Sequence, residues 1–144
     1  MIDLGTAKIL SEENGYRTFT IVGTPHYMAP EVSDGQGYTF STDIWSLGII
    51  LFEMVCGCLP FGDNLDDPYE VLNAINEASE PKFPQNYTDQ TSIHLITMLL
   101  QKDPVERHIE NFVRIKNSSF FDEFRWENLE KRTMVSPIKA NNEN

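Results

Sequence analysis

The 144-residue chain has few cysteines, few basic residues and no secretory leader pattern. Its two cysteines, Cys56 and Cys58, form a C-x-C pair without other clustered ligands, which makes a poor zinc site and a poor disulfide framework. They read as a thiol at the core edge and a loop thiol in a reducing compartment. Only 11 Lys and Arg stand against 22 Asp and Glu, a net charge of −11. Phosphates would be repelled, so the expected partners include no nucleic acid and no anionic membrane, leaving a basic partner or plain solubility. The start lacks a basic-then-apolar stretch, so a cytoplasmic location is expected and the sequons at Asn86 and Asn117 should go unused. No internal repeat or low-complexity block stands out. What remains, 40% hydrophobic and 23% charged, is ordinary globular composition with length enough for one core.

The chain is organised around residues 41–57, STDIWSLGIILFEMVCG. Ile44, Trp45, Leu47, Ile49, Ile50, Leu51, Phe52, Met54 and Val55 cover every side of a helix, the pattern of one buried all round. Ser41 or Thr42 can cap its start and Gly57 can close its end. At 1.5 Å per residue it is short for a bilayer, and Asp43 and Glu53 sit inside it, so no membrane span is expected. Two acids on so apolar a helix need partners.

Before this helix, residues 11–18 (SEENGYRT) read as an exposed loop. TFTIVGTPHYMAPEV follows, broken by Gly23, Pro25 and Pro30. So hydrophobic yet so punctuated a segment is a loop packed against something, and such loops often bind. After the helix, Pro68 can open another, with Tyr69, Val71, Leu72 and Ile75 as its apolar face. Asp89 can cap a helix to Gln101 with Ile93, Leu95, Ile96, Met98, Leu99 and Leu100 inward, bounded by Pro104. A last helix is expected from His108 to Lys116 with Ile109, Phe112, Val113 and Ile115 inward, and after Trp126 an extended, polar and basic tail ending in a disordered NNEN.

Five motifs in order carry a resemblance: DLG at 3–5, GTPHYMAPE at 23–31, STDIWSLGIILFEM at 41–54, PF at 60–61 and DPVER at 103–107. Together they resemble the back half of a eukaryotic Ser/Thr protein kinase of the AGC group, closest to the cyclic-nucleotide-dependent and specifically cGMP-dependent type. FFDEFRWENLEKRTMVSPI at 120–138 looks like the tail that follows their catalytic domain. The resemblance implies a mainly α fold, the large C-terminal lobe of the kinase fold, truncated. Residues 1–121 would form the partial kinase domain and 122–144 the AGC-type tail.

Residue roles follow from the resemblance alone. Asp3 matches the acid that holds Mg²⁺, whose charge phosphoryl transfer requires. Thr20 matches the threonine whose phosphorylation by an activating kinase orders the loop, because a phosphate gathers basic groups around it. Thr24 matches the threonine that supports the catalytic loop. Ile21, Pro25 and Met28 match the pocket for the residue after the phosphoacceptor. Glu53 matches the acid that pairs with a substrate arginine, with Tyr27 as its hydrogen-bond neighbour. His26 stands where these kinases carry glutamate, which removes one acid from the peptide region. Asp43 matches a buried carboxylate that accepts from backbone N–H groups of the catalytic loop, and Glu31 and Arg107 match a buried ion pair.

The Gly-rich loop, the V-A-I-K lysine and the H-R-D-x-x-x-x-N loop are not among these residues. No catalytic residue is therefore assigned, and ATP and Mg²⁺, implied for an intact enzyme, are not expected to bind this chain tightly. Two functions fit. One is part of a kinase acting on basic Ser/Thr-containing proteins, inactive alone. The other is a kinase-derived module that binds proteins or peptides without catalysis.

Overall fold

The structure, a computed structural model, describes residues 4–107 and 112–138. Among these the regular elements are helical, and the strand-like pairing is a single antiparallel bridge between Thr18 and Tyr38. Helix α1 is Pro30–Ser33, α2 Ser41–Cys56, α3 Pro68–Glu77, α4 Gln90–Leu99, α5 Phe112–Lys116 and α6 Trp126–Glu130. Pro25 and Pro30 do not merely interrupt the chain. Each opens a short helical turn, where its missing N–H would have had no intrahelical partner.

Helix α2 ends as its sequence implies. Gly57 adopts φ 72°, and its N–H closes on the Glu53 carbonyl at 2.9 Å. The start differs from expectation, because neither Ser41 nor Thr42 caps it. Phe40 occupies the cap position, the Thr42 hydroxyl donates to the Thr39 carbonyl, and Ser41 Oγ turns to Glu31. Nor is the helix buried all round. Trp45, Gly48, Ile49 and Phe52 are buried, while Leu47, Ile50 and Met54 form an exposed stripe with Met54 78% exposed. An apolar sequence on every side does not say which side the core takes, and here one face packs.

That face meets α4 closely at Gly48, where a Cβ would come 2.7 Å from Leu100 Cδ2 and 2.9 Å from Leu99 Cβ. Only a glycine allows the approach. Asp67 and Asp89 cap α3 and α4, accepting from Tyr69 N at 2.9 Å and from Thr91 N at 3.1 Å. The Thr91 hydroxyl also donates to Asp89 at 2.7 Å and holds that carboxyl below the usual carboxylate range. Val71 and Ile75 of α3 and Leu95, Ile96 and Leu99 of α4 are buried. Tyr69 is not on the packed face of α3 but 79% exposed, being in the first turn, ahead of where the helix meets the core. Trp45 stacks on Phe61 with centroids 5.6 Å apart, and Phe52 meets Phe83 at 4.9 Å. The two thiols are free and half-buried, and burial, then Cys58, pushes the Cys56 thiol up.

The C-terminal part departs most from its sequence reading. Residues 108–111 of the last expected helix lie outside the described residues, as does NNEN. Phe112 and Val113 are exposed rather than inward. The tail is folded as far as residue 134. Phe120, Phe121, Phe124 and Trp126 pack ring to ring, Trp126 Nε1 donates to the Lys116 carbonyl at 3.3 Å, and α6 follows. Thr133 N then closes on the Asn128 carbonyl at 2.8 Å. The aromatic cluster supplies the local core that a polar stretch read alone lacks. No helix of the described residues is long and apolar enough to cross a membrane.

One cation sits poorly in this core. Lys102 Nζ is buried without a hydrogen-bond partner among the described residues, 5.8 Å from the Trp45 ring centroid and 5.5 Å from that of Phe61. Burial first, and Arg107 second, lower its pKa from 10.5. An unpaired buried donor costs about 1–3 kcal/mol, which the roughly 0.5–2 kcal/mol a ring face returns offsets in part. Lys102→Met is therefore expected to raise stability by about 1 kcal/mol at neutral pH. The unfolded chain binds the proton more tightly, so wild-type stability climbs as pH rises through the depressed folded pKa toward 10.5. The variant should lose that climb, and thermal melts across alkaline pH measure both effects.

Candidate functional site

The residues singled out for function gather on the segment 17–31 and the α2 edge it lies along. Met28 is half-buried, and Ala29 and Val32 are buried in the core, so this end of the segment is fixed by apolar packing. Beyond it, Glu31 and Arg107 form a buried ion pair through Arg107 Nη2 and Glu31 Oε1, with exposures of 7% and 1%. Three further N–H groups of the guanidinium are also used. Nε donates to the Ser41 carbonyl at 3.3 Å and Nη1 to the Gln101 and Lys102 carbonyls, the latter at 3.1 Å. Its central carbon lies 5.3 Å from the Trp45 ring centroid. Ser41 Oγ donates to Glu31 Oε1 at 3.4 Å, which explains why it does not cap α2.

Tyr27 connects the segment to α2 twice. Ser46 Oγ donates to the Tyr27 carbonyl at 2.8 Å, and the Tyr27 hydroxyl donates to Glu53 Oε2 at 2.8 Å. Ser46 and Glu53 stand two helical turns apart, so the tyrosine runs along one edge of the helix. Hydrogen bonding to Glu53, then burial, raises the Tyr27 pKa above 10.0, which keeps the hydroxyl a donor at neutral pH. Glu53 itself is exposed, and its Oε1 has no partner among the described residues. The acid needs no burial to be held; a neutral donor orients it at the surface.

The remaining residues are spread along the segment and the start of α2. Ile21 is 63% exposed, Pro25 is half-buried, and Thr24 is exposed at the start of the turn Pro25–Tyr27. Val22, Gly23, Thr24, Tyr27, Met28 and Asp43 contribute to a groove of about 550 Å³. Asp43, expected to be buried, is exposed on α2, and its carboxylate has no partner among the described residues. The donors expected for it belong to a catalytic loop that these residues do not include. Thr20 is exposed. Asp3 lies outside the described residues. Among those described, no group of three or more His, Cys, Asp or Glu side chains is placed to hold a metal ion.

Three contacts were not read from the sequence. Ser46 reads as a stray polar residue in an apolar helix and proves to anchor Tyr27. His26 Nε2 lies 3.2 Å from both the Gly62 and Leu65 carbonyls, so it is the protonated nitrogen and ties the turn to the 62–65 loop. Tyr38 reaches back to residues 18 and 20. Each contact joins positions far apart in the chain. Only the polar break at Ser46 could have hinted at its contact.

Removing one partner of a buried, hydrogen-bonded ion pair leaves the other charge uncompensated, at about 3–5 kcal/mol. Arg107→Ala is expected to lower stability on that scale and to loosen residues 24–33. Thermal melts with hydrogen exchange measure this; a variant that melts and exchanges like wild type would remove the claim.

The family described as Protein kinase domain matches residues 1–121. The cGMP-dependent protein kinase of Plasmodium berghei is 42% identical over 99% of this chain and 16% of its own length. That of Toxoplasma gondii is 40% identical over 99% of this chain and 14% of its own. The Drosophila melanogaster cGMP-dependent protein kinase, isozyme 2 forms cD5/T2, is 37% identical over 96% and 15%. The chain thus spans about one-sixth or less of the length of these curated relatives.

Proposed function

This chain belongs to the protein kinase family, and we propose that it forms the substrate-facing part of a Ser/Thr kinase like the cGMP-dependent enzymes. The enzyme in question moves the γ-phosphoryl group of ATP to Ser or Thr of proteins bearing basic residues. Residues 1–121 supply the kinase-lobe portion and 122–144 its tail, in the cytoplasm.

The observation that carries this reading is the Tyr27–Glu53 pair. One carboxylate oxygen is fixed by the Tyr27 hydroxyl at 2.8 Å, and the acid is exposed. A fixed carboxylate with a free oxygen is a good acceptor for a substrate guanidinium, and the charge-assisted bond is about twice as strong as a neutral one. Holding an arginine at Glu53 would set the phosphoacceptor in register with the pocket of Ile21, Pro25 and Met28. Thr20 is the residue an activating kinase modifies. Thr24 and Asp43 serve a catalytic loop, Thr24 through its hydroxyl and Asp43 as an acceptor of backbone N–H groups.

Protein kinases use ATP and Mg²⁺, which neutralises the transferring phosphate. The described residues alone do not assemble a metal site. Asp3 is the carboxylate proposed to hold the ion, and the remaining nucleotide contacts fall to motifs not among these 144 residues. We therefore expect no transfer by the 144-residue polypeptide incubated with ATP, Mg²⁺ and an arginine-rich peptide. Incorporated phosphate would refute this.

Glu53→Gln keeps the shape and the tyrosine bond but removes the charge. In the complete enzyme it is expected to raise KM for an arginine-containing peptide by about tenfold or more, with a smaller change in kcat. A peptide without arginine should be indifferent. An unchanged KM would take the guanidinium role from Glu53.

A further inference from the structure

Thr20 is exposed, yet the residues that precede it are tied down. The turn 34–38 is shaped by Asp34, whose carboxylate accepts from Gln36 N at 2.8 Å, and by Gly35 and Gly37 at φ 73° and 77°. Thr18 and Tyr38 exchange backbone hydrogen bonds at 3.0 and 2.9 Å, and the Tyr38 hydroxyl donates to the Thr20 carbonyl. Arg17 Nη1 donates to the Gln36 carbonyl at 3.2 Å and to the Gly37 carbonyl at 2.9 Å. The Phe19 ring lies over Gly37 so closely that a Cβ there would come 2.7 Å from its Cε1. Thr18 is 5% exposed. Residues 17–20 are thus held through backbone, guanidinium, ring and hydroxyl.

A peptide is read by a recognition groove as an extended strand, through its main chain and flanking side chains. Here both are occupied. Arg17 stands three residues before Thr20, where a kinase that prefers basic substrates can reach it, and its guanidinium is bound to carbonyls of its own chain. We propose that the 36–38 turn is a latch on the phosphoacceptor segment. Thr20 is modified by a basic-directed Ser/Thr kinase only after Arg17, Thr18 and the Thr20 carbonyl leave this turn. The inference rests on the reading of Thr20 as the modified residue. In the reaction, Thr20 Oγ1 bonds the γ-phosphorus of ATP as the bond to ADP breaks, and the hydroxyl proton passes to the modifying enzyme.

The latch consists of loop contacts, so its opening is local and leaves the α2 packing in place. When opening and closing are fast, the rate of modification follows the open population. Removing one hydrogen bond should raise that population roughly two- to tenfold.

The test follows initial phosphate incorporation at Thr20 by mass spectrometry, using a purified basic-directed Ser/Thr kinase with ATP and Mg²⁺. The substrates are the wild-type 144-residue chain, Tyr38→Phe, Gly37→Ala and a synthetic peptide of residues 13–25. Tyr38→Phe removes only the hydroxyl, and Gly37→Ala loosens the same contact from the other side through Phe19. The peptide should react fastest and both variants roughly two- to tenfold faster than wild type. Amides of Thr18 and of residue 38 should exchange faster in both variants, with those of Ile49 and Phe52 unchanged. Equal or slower reaction of both variants overturns the latch. So does faster reaction accompanied by equally faster exchange in α2, which is general unfolding. A peptide that takes no phosphate at Thr20 overturns the reading of Thr20 and the latch with it.

Discussion

The guanidinium of Arg107 is the constraint on which the arrangement turns. It is almost fully buried, and its donors go to the Glu31 carboxylate and to carbonyls of Ser41, Gln101 and Lys102. Two regions of chain far apart in sequence, residues 31–41 and 101–107, therefore meet at one planar group. A buried pair of this kind has a desolvation cost close to its Coulombic gain, so its net stabilisation over apolar packing is small. Its effect is positional: the entry to α2, the short α1 and the chain after α4 share one geometry. Among the described residues Glu31 Oε2 remains buried without a partner, so the network they form is not fully satisfied, and substitutions there are correspondingly sensitive.

Everything proposed for the substrate surface follows from where this places α2. Once the first turn is fixed, Ser46 and Glu53 lie along one edge, and Tyr27 bridges them by its carbonyl and its hydroxyl. The opposite demand comes from Gly48, which lets α4 approach on the core side. One helix thus carries the core on one face and a surface carboxylate on another. That division requires an acid on an otherwise apolar helix, and the acid is stable because it is exposed and bonded to a hydroxyl.

Much of this was readable residue by residue. Asp89, Pro68 and Gly57 mark helix ends through local physics, and the helices begin or end there, while the Asp67 cap is supplied by the structure. The Glu31–Arg107 pair spans 76 residues, and only the motif resemblance, not periodicity, could pair its members. The sidedness of α2 was not legible, because an apolar residue at nearly every position gives no preferred face. Ser41 obeys the local rule for a cap and is overruled by a buried carboxylate with a stronger claim on its hydroxyl. Tyr69, Phe112 and Val113 fit an apolar spacing but lie outside the contact area of their helices. The tail failed for the opposite reason: Trp126 and three phenylalanines make a local core that the surrounding charge conceals.

The segment from Arg17 to Glu31 shows how these constraints combine. Its far end is clamped by core packing of Ala29 and by the Arg107 network, which only unfolding of the domain would release. Its near end is held by the turn at 36–38 through backbone bonds, a guanidinium and one hydroxyl, none of them part of the core. Between the clamps, Phe19 to Thr24 are exposed, and Gly23 at φ 119° supplies a bend that other residues rarely adopt. The two ends therefore differ in stability, and a modification at Thr20, as proposed, would add nearly two negative charges to a stretch held by loop contacts alone, while Tyr27 and Glu53 stay bonded to each other along α2.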